Sequence, residues 1–196
     1  MAYAGLIAGL GNPGAEYART RHNVGFMAVQ RFLDLAEQEN DNVSRPRETR
    51  GLHRVWSWTP QWSSRPWLVC EPATFMNRSG QSLSLLCRKN GLRTDQVLVI
   101  HDELDLALGT IRFKFGGGLA GHNGLRSIAQ SLGGRDFYRL RMGIGRPDSG
   151  QDVTRYVLSP FTRNERIELD PVLDRAAQGL RVFTEQGFQA AMNGFH

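Results

Sequence analysis

The chain of 196 residues has no long apolar run and only two cysteines, Cys70 and Cys87. No segment approaches the roughly 20 consecutive apolar residues of a membrane-spanning helix, and no apolar stretch typical of a secretory signal follows the first methionine. The cysteines are far apart and form no C-x-x-C pair, which argues against a disulfide framework or a cysteine metal site. These absences predict a cytoplasmic protein that does not attach to a membrane.

Lysine is also scarce. Lys89 and Lys114 are the only lysines among 24 basic residues, which outnumber 19 acidic residues and give a net charge of +5. The planar guanidinium of arginine binds phosphate through paired hydrogen bonds, and a basic balance favours nucleic acid as a partner. GC-rich coding produces the same bias, so charge alone leaves both RNA binding and ordinary composition open.

The chain has no internal repeat or low-complexity tract, and its length suits a single domain spanning residues 1–196. Predicted strands alternate with predicted helices, which indicates an α/β fold: a twisted, mixed, mostly parallel sheet surrounded by helices. The polar segment 37–50 is interpreted as a surface loop. Strands are predicted in segments 4–10, 51–58, 66–72, 96–103, 109–118 and 137–145, and helices in segments 23–38, 79–91, 121–132 and about 162–190.

Gly9, Gly11 and Gly14 match the dinucleotide-binding fingerprint G-x-G-x-x-G. In that fold the third glycine lies in the first turns of a helix that meets the pyrophosphate. Here Asn-Pro-Gly predicts a tight turn at this place, and the helical apolar period begins only near Val24. The nearest acid, Asp34, falls inside that helix rather than at the end of a second strand, so the context contradicts a nucleotide site.

Polar side chains follow the predicted strands or open the predicted helices. Because ligands of such sheets bind beyond the carboxyl ends of the strands, we expect these side chains to face one cleft. Each one alone is equally compatible with a turn or cap residue. The residues concerned are Asn12, His22, Asn77, Asp102 and Asn123.

The residue types narrow the chemistry. The chain has no G-x-S-x-G motif, and neither cysteine lies in a basic setting, so no nucleophilic side chain stands out. A neutral imidazole such as His22 can deprotonate water, and a carboxylate such as Asp102 can orient it. Asparagine amides can hold peptide groups and support an oxyanion. The combination favours attack by water on a peptide ester.

Two further groups of residues leave alternatives open. Lys114 precedes a run of glycines, and Arg139 and Arg141 share one face of the last strand, which suits either a phosphate clamp or a solvated sheet face. By strand alternation His101 points away from Asp102 and is interpreted as a buried, hydrogen-bonded residue. A metal site formed by His22, Asp102, Asp105 and His122 has no supporting spacing, so we expect no metal.

Four motifs resemble those of the bacterial-type peptidyl-tRNA hydrolase family. They are "GLGNPGAEYARTRHNVGF", "PATFMNRSG", "HDELDLALGTIRFKFGGGLAGHNGLRSI" and "YRLRMGIGRP", in the family's order, and the resemblance extends over roughly residues 5–185. It implies a monomeric α/β enzyme that needs no cofactor or metal. Its reaction would be hydrolysis of the ester between a peptide and the 3′ end of tRNA. This reaction releases tRNA from stalled translation so that it can be used again.

The resemblance also implies residue roles. It implies that His22 is the catalytic base, Asp102 its partner, and Asn12 a group that helps to place the water. Residues near 146–160 would form a mobile lid. The implied substrate-binding residues are Tyr17, Met76, Asn77 and Asn123, and the implied clamp for the tRNA 5′-phosphate is Lys114 with Arg141. Two rival functions remain: a non-catalytic RNA-binding protein of the same fold, and a metal-dependent hydrolase built on "HDELD".

Overall fold

The computed structural model describes residues 2–49 and 51–196. Within these residues, eight strands form one sheet in the order β2-β4-β5-β1-β6-β8-β7, with β3 paired to β4. The strands are β1 Leu6–Gly9, β2 Asn42–Val43, β3 Arg47–Thr49, β4 His53–Thr59, β5 Trp67–Pro72, β6 Val97–Glu103, β7 Ile111–Phe115 and β8 Tyr138–Gly143. The four central strands β5, β1, β6 and β8 are parallel, and the outer pairs are antiparallel. The mixed sheet predicted from the sequence is confirmed, and its parallel part is the core of the sheet.

Helices cover both faces of this sheet. One core contains the buried side chains of α1, α5 and α6, and the other contains those of α2 and α3. The central strands β1 and β6 are buried along their whole length, which is why β1 and the first four residues of β6 are apolar. The helices are α1 Val24–Gln38, α2 Ser79–Asn90, α3 Asn123–Leu132, α4 Val153–Val157, α5 Arg163–Gln186 and α6 Phe188–Phe195.

Local signals place several helix ends correctly. Gly91 ends α2 in the left-handed conformation with φ of 65°. Thr162 caps α5: its side chain accepts from the backbone N–H of Glu165, and the Glu165 carboxylate accepts from the N–H of Thr162. The predicted segment 162–190 is divided, however, because Gly187 with φ of 90° separates α5 from α6.

The glycines of the apparent dinucleotide fingerprint are required by packing. A Cβ atom on Gly9 would lie 2.2 Å from the carbonyl oxygen of Gly25, so β1 and the first turn of α1 are in direct backbone contact. A Cβ atom on Gly11 would lie 2.8 Å from the ring of Phe26. Gly9 and Gly11 therefore allow helix and strand to approach closely.

Segment 37–50 is only partly the loop that its polarity predicts. Its described residues contain the short strands β2 and β3, which pair with β4, while Arg50 lies outside the described residues, as does Met1. Edge strands tolerate polar sequence because one side of the ladder faces water, so polarity alone did not distinguish them from a loop. None of the helices in the described part of the chain combines the length and hydropathy needed to cross a bilayer.

Candidate active site

The carboxyl ends of the parallel strands bring most of the predicted polar residues to one edge of the sheet. Asp102 lies inside β6, one residue before its end, rather than beyond the strand. His22 lies in a 3₁₀ turn that leads into α1. The residues that line a single cavity of about 730 Å³ include six that the sequence singled out: Asn12, His22, Met76, Asn77, Asp102 and Asn123.

His22 and Asp102 are in direct contact. Nδ1 of His22 lies 2.8 Å from Oδ1 of Asp102, and the two side chains are 13% and 3% exposed. Burial opposes ionisation of Asp102, but its contacts with the imidazoles of His122 and His22 hold its pKa well below the usual range. An ionised Oδ1 can only accept, so Nδ1 of His22 donates, and its Nε2 carries the lone pair.

His122 is a second imidazole on the same carboxylate. Its Nε2 lies 3.0 Å from Oδ1 of Asp102. Its Nδ1 caps α3 by accepting from the backbone N–H groups of Gly124 and Leu125, at 3.1 Å and 3.3 Å. Because Nδ1 is an acceptor, the proton of neutral His122 is on Nε2, from which it donates to Asp102. Sequence reasoning considered His122 only as a metal ligand; its position directly before a helix was the available signal for a cap.

The Asn12 side chain is oriented by its neighbours. Its Oδ1 accepts from the backbone N–H of Met76 at 2.8 Å, so its Nδ2 is left to donate into the cavity. Asn23 then joins this turn to the start of α1: its Oδ1 accepts from the N–H of Asn12, and its Nδ2 donates to the Asn12 carbonyl, both at 2.9 Å. Sequence reasoning missed Asn23, although it directly follows His22.

The remaining predicted substrate-binding residues are placed differently from one another. Asn77 and Asn123 are exposed on the cavity wall, and Met76 is buried beneath it. Tyr17 is outside the group of cavity-lining residues; it packs edge-on against Phe75 with ring centroids 6.4 Å apart, and Phe75 lines the cavity. The structure therefore connects Tyr17 to the site through Phe75, a residue that the sequence did not single out.

The basic residues near the glycine run have separate environments. Lys114 on β7 lies opposite Arg139 on β8, and Arg112 lies opposite Arg141. Arg141 forms an ion pair with Glu103 at 3.0 Å and remains partly exposed. Lys114 and Arg141 therefore lie on one face of the sheet, where both are partly accessible.

Arg139 does not belong to an open phosphate clamp. It is buried, and its guanidinium donates to three successive carbonyl oxygens of the glycine run, those of Gly116, Gly117 and Gly118. The interpretation of Arg139 as a phosphate ligand is therefore wrong, because both terminal nitrogens of its guanidinium already donate to carbonyl oxygens of the loop. The glycine run wraps around this side chain.

His101 is buried as the strand alternation predicts. Its Nδ1 lies 2.8 Å from the backbone carbonyl oxygen of Asp102, and its ring packs against that of His122 with centroids 5.1 Å apart. Burial, with a smaller contribution from the nearby His122, lowers the pKa of His101 to about 3. His101 is thus a neutral side chain at the cavity that packs against His122.

Known proteins match this chain over nearly its whole length. The family model described as peptidyl-tRNA hydrolase matches residues 6–196. The peptidyl-tRNA hydrolase of Oleidesulfovibrio alaskensis is 46% identical over 188 residues, covering 95% of this chain and 93% of the relative. That of Nitratidesulfovibrio vulgaris is 47% identical over 195 residues, covering 97% and 95%.

A solved structure shows the same fold. The crystal structure of peptidyl-tRNA hydrolase from Acinetobacter baumannii superposes with a TM-score of 0.86 at 36% identity, covering 100% of this chain and 95% of that chain. The sequence match extends over nearly all of the chain, and the relatives are similar in length. The chain therefore belongs to the peptidyl-tRNA hydrolase family.

Proposed function

We propose that this protein hydrolyses the ester bond of peptidyl-tRNA with water activated by His22. The observation that carries the proposal is the 2.8 Å contact between Nδ1 of His22 and Oδ1 of Asp102 at the side of an open cavity. This contact leaves Nε2 of His22 as a base toward the cavity. The substrate supplies an ester, which is more easily attacked than an amide.

The reaction follows in two steps. Nε2 of His22 takes a proton from water as the water oxygen bonds to the ester carbonyl carbon. The resulting imidazolium is stabilised by the Asp102 carboxylate, and the tetrahedral oxyanion by an amide N–H. When the intermediate collapses, the bond to the ribose oxygen breaks and the imidazolium returns its proton to that oxygen. The products are the free peptide and tRNA with a free terminal hydroxyl.

The asparagines hold the substrate through groups that do not titrate. Because the backbone N–H of Met76 donates to Oδ1 of Asn12, Nδ2 of Asn12 is left to donate to the attacking water or to the developing oxyanion. Asn77 and Asn123 stand on the cavity wall, where they can pair with peptide N–H and C=O groups of any sequence. Met76 supplies an apolar surface below them, and Tyr17 acts by supporting Phe75.

The tRNA is bound by charge on the neighbouring face of the sheet. Arg112, Lys114 and Arg141 are partly accessible cations there, and we assign Lys114 and Arg141 to the 5′-phosphate of the acceptor stem. The four cationic side chains on these two strands, Arg112, Lys114, Arg139 and Arg141, give this face a strongly positive character. We further propose that the protein acts as a monomer in the cytoplasm, where tRNA is used.

The reaction is proposed to need no metal or other cofactor. His22, Asp102 and His122 lie close enough together to hold a metal ion, with ligand atoms within 4.8 Å of one another. A metal on Nε2 of His122 would, however, require the proton on Nδ1, where two backbone N–H groups already donate. The donors around Asp102 are therefore arranged for hydrogen bonding rather than for coordination.

The experiment is incubation of the protein with an N-acetylaminoacyl-tRNA, following free tRNA and the released N-acetyl amino acid. We expect turnover by the unmodified protein, turnover in the presence of a strong chelator, and none by His22→Ala, with tRNA binding by that variant retained within a fewfold. His196→Ala is the matched control, since His196 contacts β7 outside the cavity. Binding of tRNA without turnover by the unmodified protein would instead support the non-catalytic RNA-binding alternative.

A further inference from the structure

A second cavity, of about 340 Å³, adjoins the catalytic cavity but shares none of its lining residues. Asn12 lines the catalytic cavity and its neighbour Pro13 lines the second one, and Phe75 and Ala73 are divided in the same way. The other walls of the second cavity come from α1 and from strands β3, β4 and β5. The reaction proposed above uses no side chain of this cavity.

Three charged side chains form a row across the strands that line the second cavity. Arg54 on β4 is in register with Glu48 on β3 and with Glu71 on β5. Nε of Arg54 lies 3.4 Å from Oε1 of Glu48, and Nη1 of Arg54 lies 3.9 Å from Oε2 of Glu71. Burial and nearby cations lower the pKa of His53, which also lines the cavity, so His53 adds no charge near neutral pH. Two carboxylates face one cation, and negative charge is therefore in excess.

Glu71 is the buried member of this row. Its side chain is 10% exposed, and its Oε1 accepts a hydrogen bond from Nε2 of Gln30 on α1. In the described part of the chain Oε2 has no hydrogen-bond donor, since its 3.9 Å contact with Arg54 is too long for a hydrogen bond. Burial raises the pKa of the Glu71 carboxyl, and Gln30 and Arg54 offset this only in part. Glu71 thus brings to the cavity a carboxylate that is nine-tenths buried and incompletely paired.

The rest of the lining suits an alkyl chain that ends in a positive charge. Pro13, Phe26 and Pro72 give the cavity apolar walls, along which methylene groups can pack, and the Phe26 ring can attract a cation. One open oxygen on Glu71 suits the compact charge of an ammonium group better than the planar fork of a guanidinium. A divalent metal is disfavoured, because within the described ranges the side chains grouped closely enough to hold one are at the catalytic cavity.

We propose that this second cavity, here called the acidic pocket, binds an alkylammonium group. Oε2 of Glu71 accepts from the ammonium, and Glu48 adds attraction from the rim. Arg54 competes with the ligand for the Glu71 carboxylate and so limits the affinity. Two sources offer this chemistry: a free polyamine, and a lysine side chain in the peptide of the substrate, since the pocket adjoins the catalytic cavity. Only the second source rests on the proposed function.

The binding experiment is an NMR titration with n-butylammonium, the equivalent of a lysine side chain, and with n-butanol as its neutral analogue. We expect saturable shifts of the backbone amide signals of β4 and β5 with n-butylammonium only. Glu71→Gln keeps the shape of the side chain and should weaken binding at least about tenfold, the equivalent of one hydrogen bond to a charged group. Glu48→Gln should weaken it less, because Glu48 is exposed. Arg54→Gln should strengthen binding, a gain that general damage to the fold does not produce.

Glu37→Gln is the matched control, because Glu37 is an exposed carboxylate of α1 that does not line the acidic pocket. It should leave the affinity for n-butylammonium unchanged. Equal responses to n-butylammonium and n-butanol would overturn the proposal. An affinity that is the same in the unmodified protein, Glu71→Gln and Arg54→Gln would overturn it as well.

Peptidyl-tRNA substrates distinguish the two sources. One tRNA body carries N-acetyl tripeptides with lysine or norleucine at one of the three positions, since norleucine has a similar alkyl chain without the ammonium. A preference for lysine in kcat/KM that disappears in Glu71→Gln would assign the pocket to the peptide. Equal kcat/KM at every position, with n-butylammonium binding retained, would assign it to a free polyamine, and spermidine should then bind more tightly than n-butylammonium. If no ester is cleaved, the proposed function fails, while the titration still decides whether the pocket binds an ammonium group.

Discussion

His22 and Asp102 lie 80 positions apart in the chain, and their side chains meet at 2.8 Å between Nδ1 and Oδ1. The contact depends on two parallel strands, because β1 leads into the turn before His22 and its neighbour β6 carries Asp102. One carboxylate oxygen serves both His22 and His122. The orientation of the proposed base is thus determined by a carboxylate that is itself held from two sides.

Asp102→Asn should lower kcat by about three to four orders of magnitude, by analogy with the loss of the carboxylate in histidine-containing triads. The amide keeps the size of the side chain but cannot stabilise the imidazolium, and its NH₂ group can force the wrong tautomer on His22. Single-turnover rates on peptidyl-tRNA measure this effect. Asp105→Asn is the control, since Asp105 is half exposed and pairs with Arg146. A loss of less than tenfold in Asp102→Asn would contradict the assigned role.

His122→Asn should lower kcat about ten- to hundredfold, the rate equivalent of a hydrogen bond to a charged group. Asparagine still caps a helix, so α3 is expected to remain, but its short side chain no longer reaches Asp102. KM for tRNA should stay within a fewfold, and circular dichroism should show unchanged helix content. An unchanged kcat would mean that His122 is only a helix cap.

Lys114→Ala and Arg141→Ala should each raise KM for peptidyl-tRNA. Each should also lower the slope of log KM against log salt concentration by about one, because one contact with phosphate is lost. Lys114→Ala is expected to have the larger effect, since Arg141 is already paired with Glu103 at 3.0 Å. The measurement is KM over a series of salt concentrations. Lys89→Ala removes the other lysine, on α2, and serves as the matched control. If KM does not change with salt concentration in the unmodified protein or in any of these variants, binding through phosphate is contradicted.

His101 makes the unfolding free energy depend on pH. Burial lowers its pKa to about 3, whereas the unfolded chain binds this proton near pH 6.5. Above pH 6.5 neither state is protonated and His101 contributes no pH dependence. As the pH falls from 6.5 toward 3, only the unfolded state gains the proton, so stability falls by up to about 1.4 kcal/mol per pH unit.

Urea denaturation of the unmodified protein and of His101→Gln at pH 7, 6, 5 and 4 measures this contribution. The carboxylates titrate in both proteins, so the difference between their slopes isolates His101. We expect a shallower loss of stability in the variant. Parallel slopes would show that His101 is not held neutral by burial.

Much of the fold was predictable because its signals are local. The apolar runs of β1 and β6, the left-handed Gly91 and the capping pair of Thr162 and Glu165 each depend on neighbours within a few residues. The strands β2 and β3 were missed, since the polar composition of an edge strand resembles that of a loop. The short helix α4 had no periodic pattern long enough to detect.

The amino-acid sequence by itself determined which residue types could perform ester hydrolysis, and it placed them at the ends of strands and the starts of helices. Only the tertiary structure decided their partners. It assigned Arg139 to three loop carbonyls, His122 to Asp102, and Arg21 to the segment between α4 and α5. Such contacts join residues that are distant in sequence. Which of them form depends on the geometry of the packed sheet, and local periodicity and turn chemistry carry no information about that geometry.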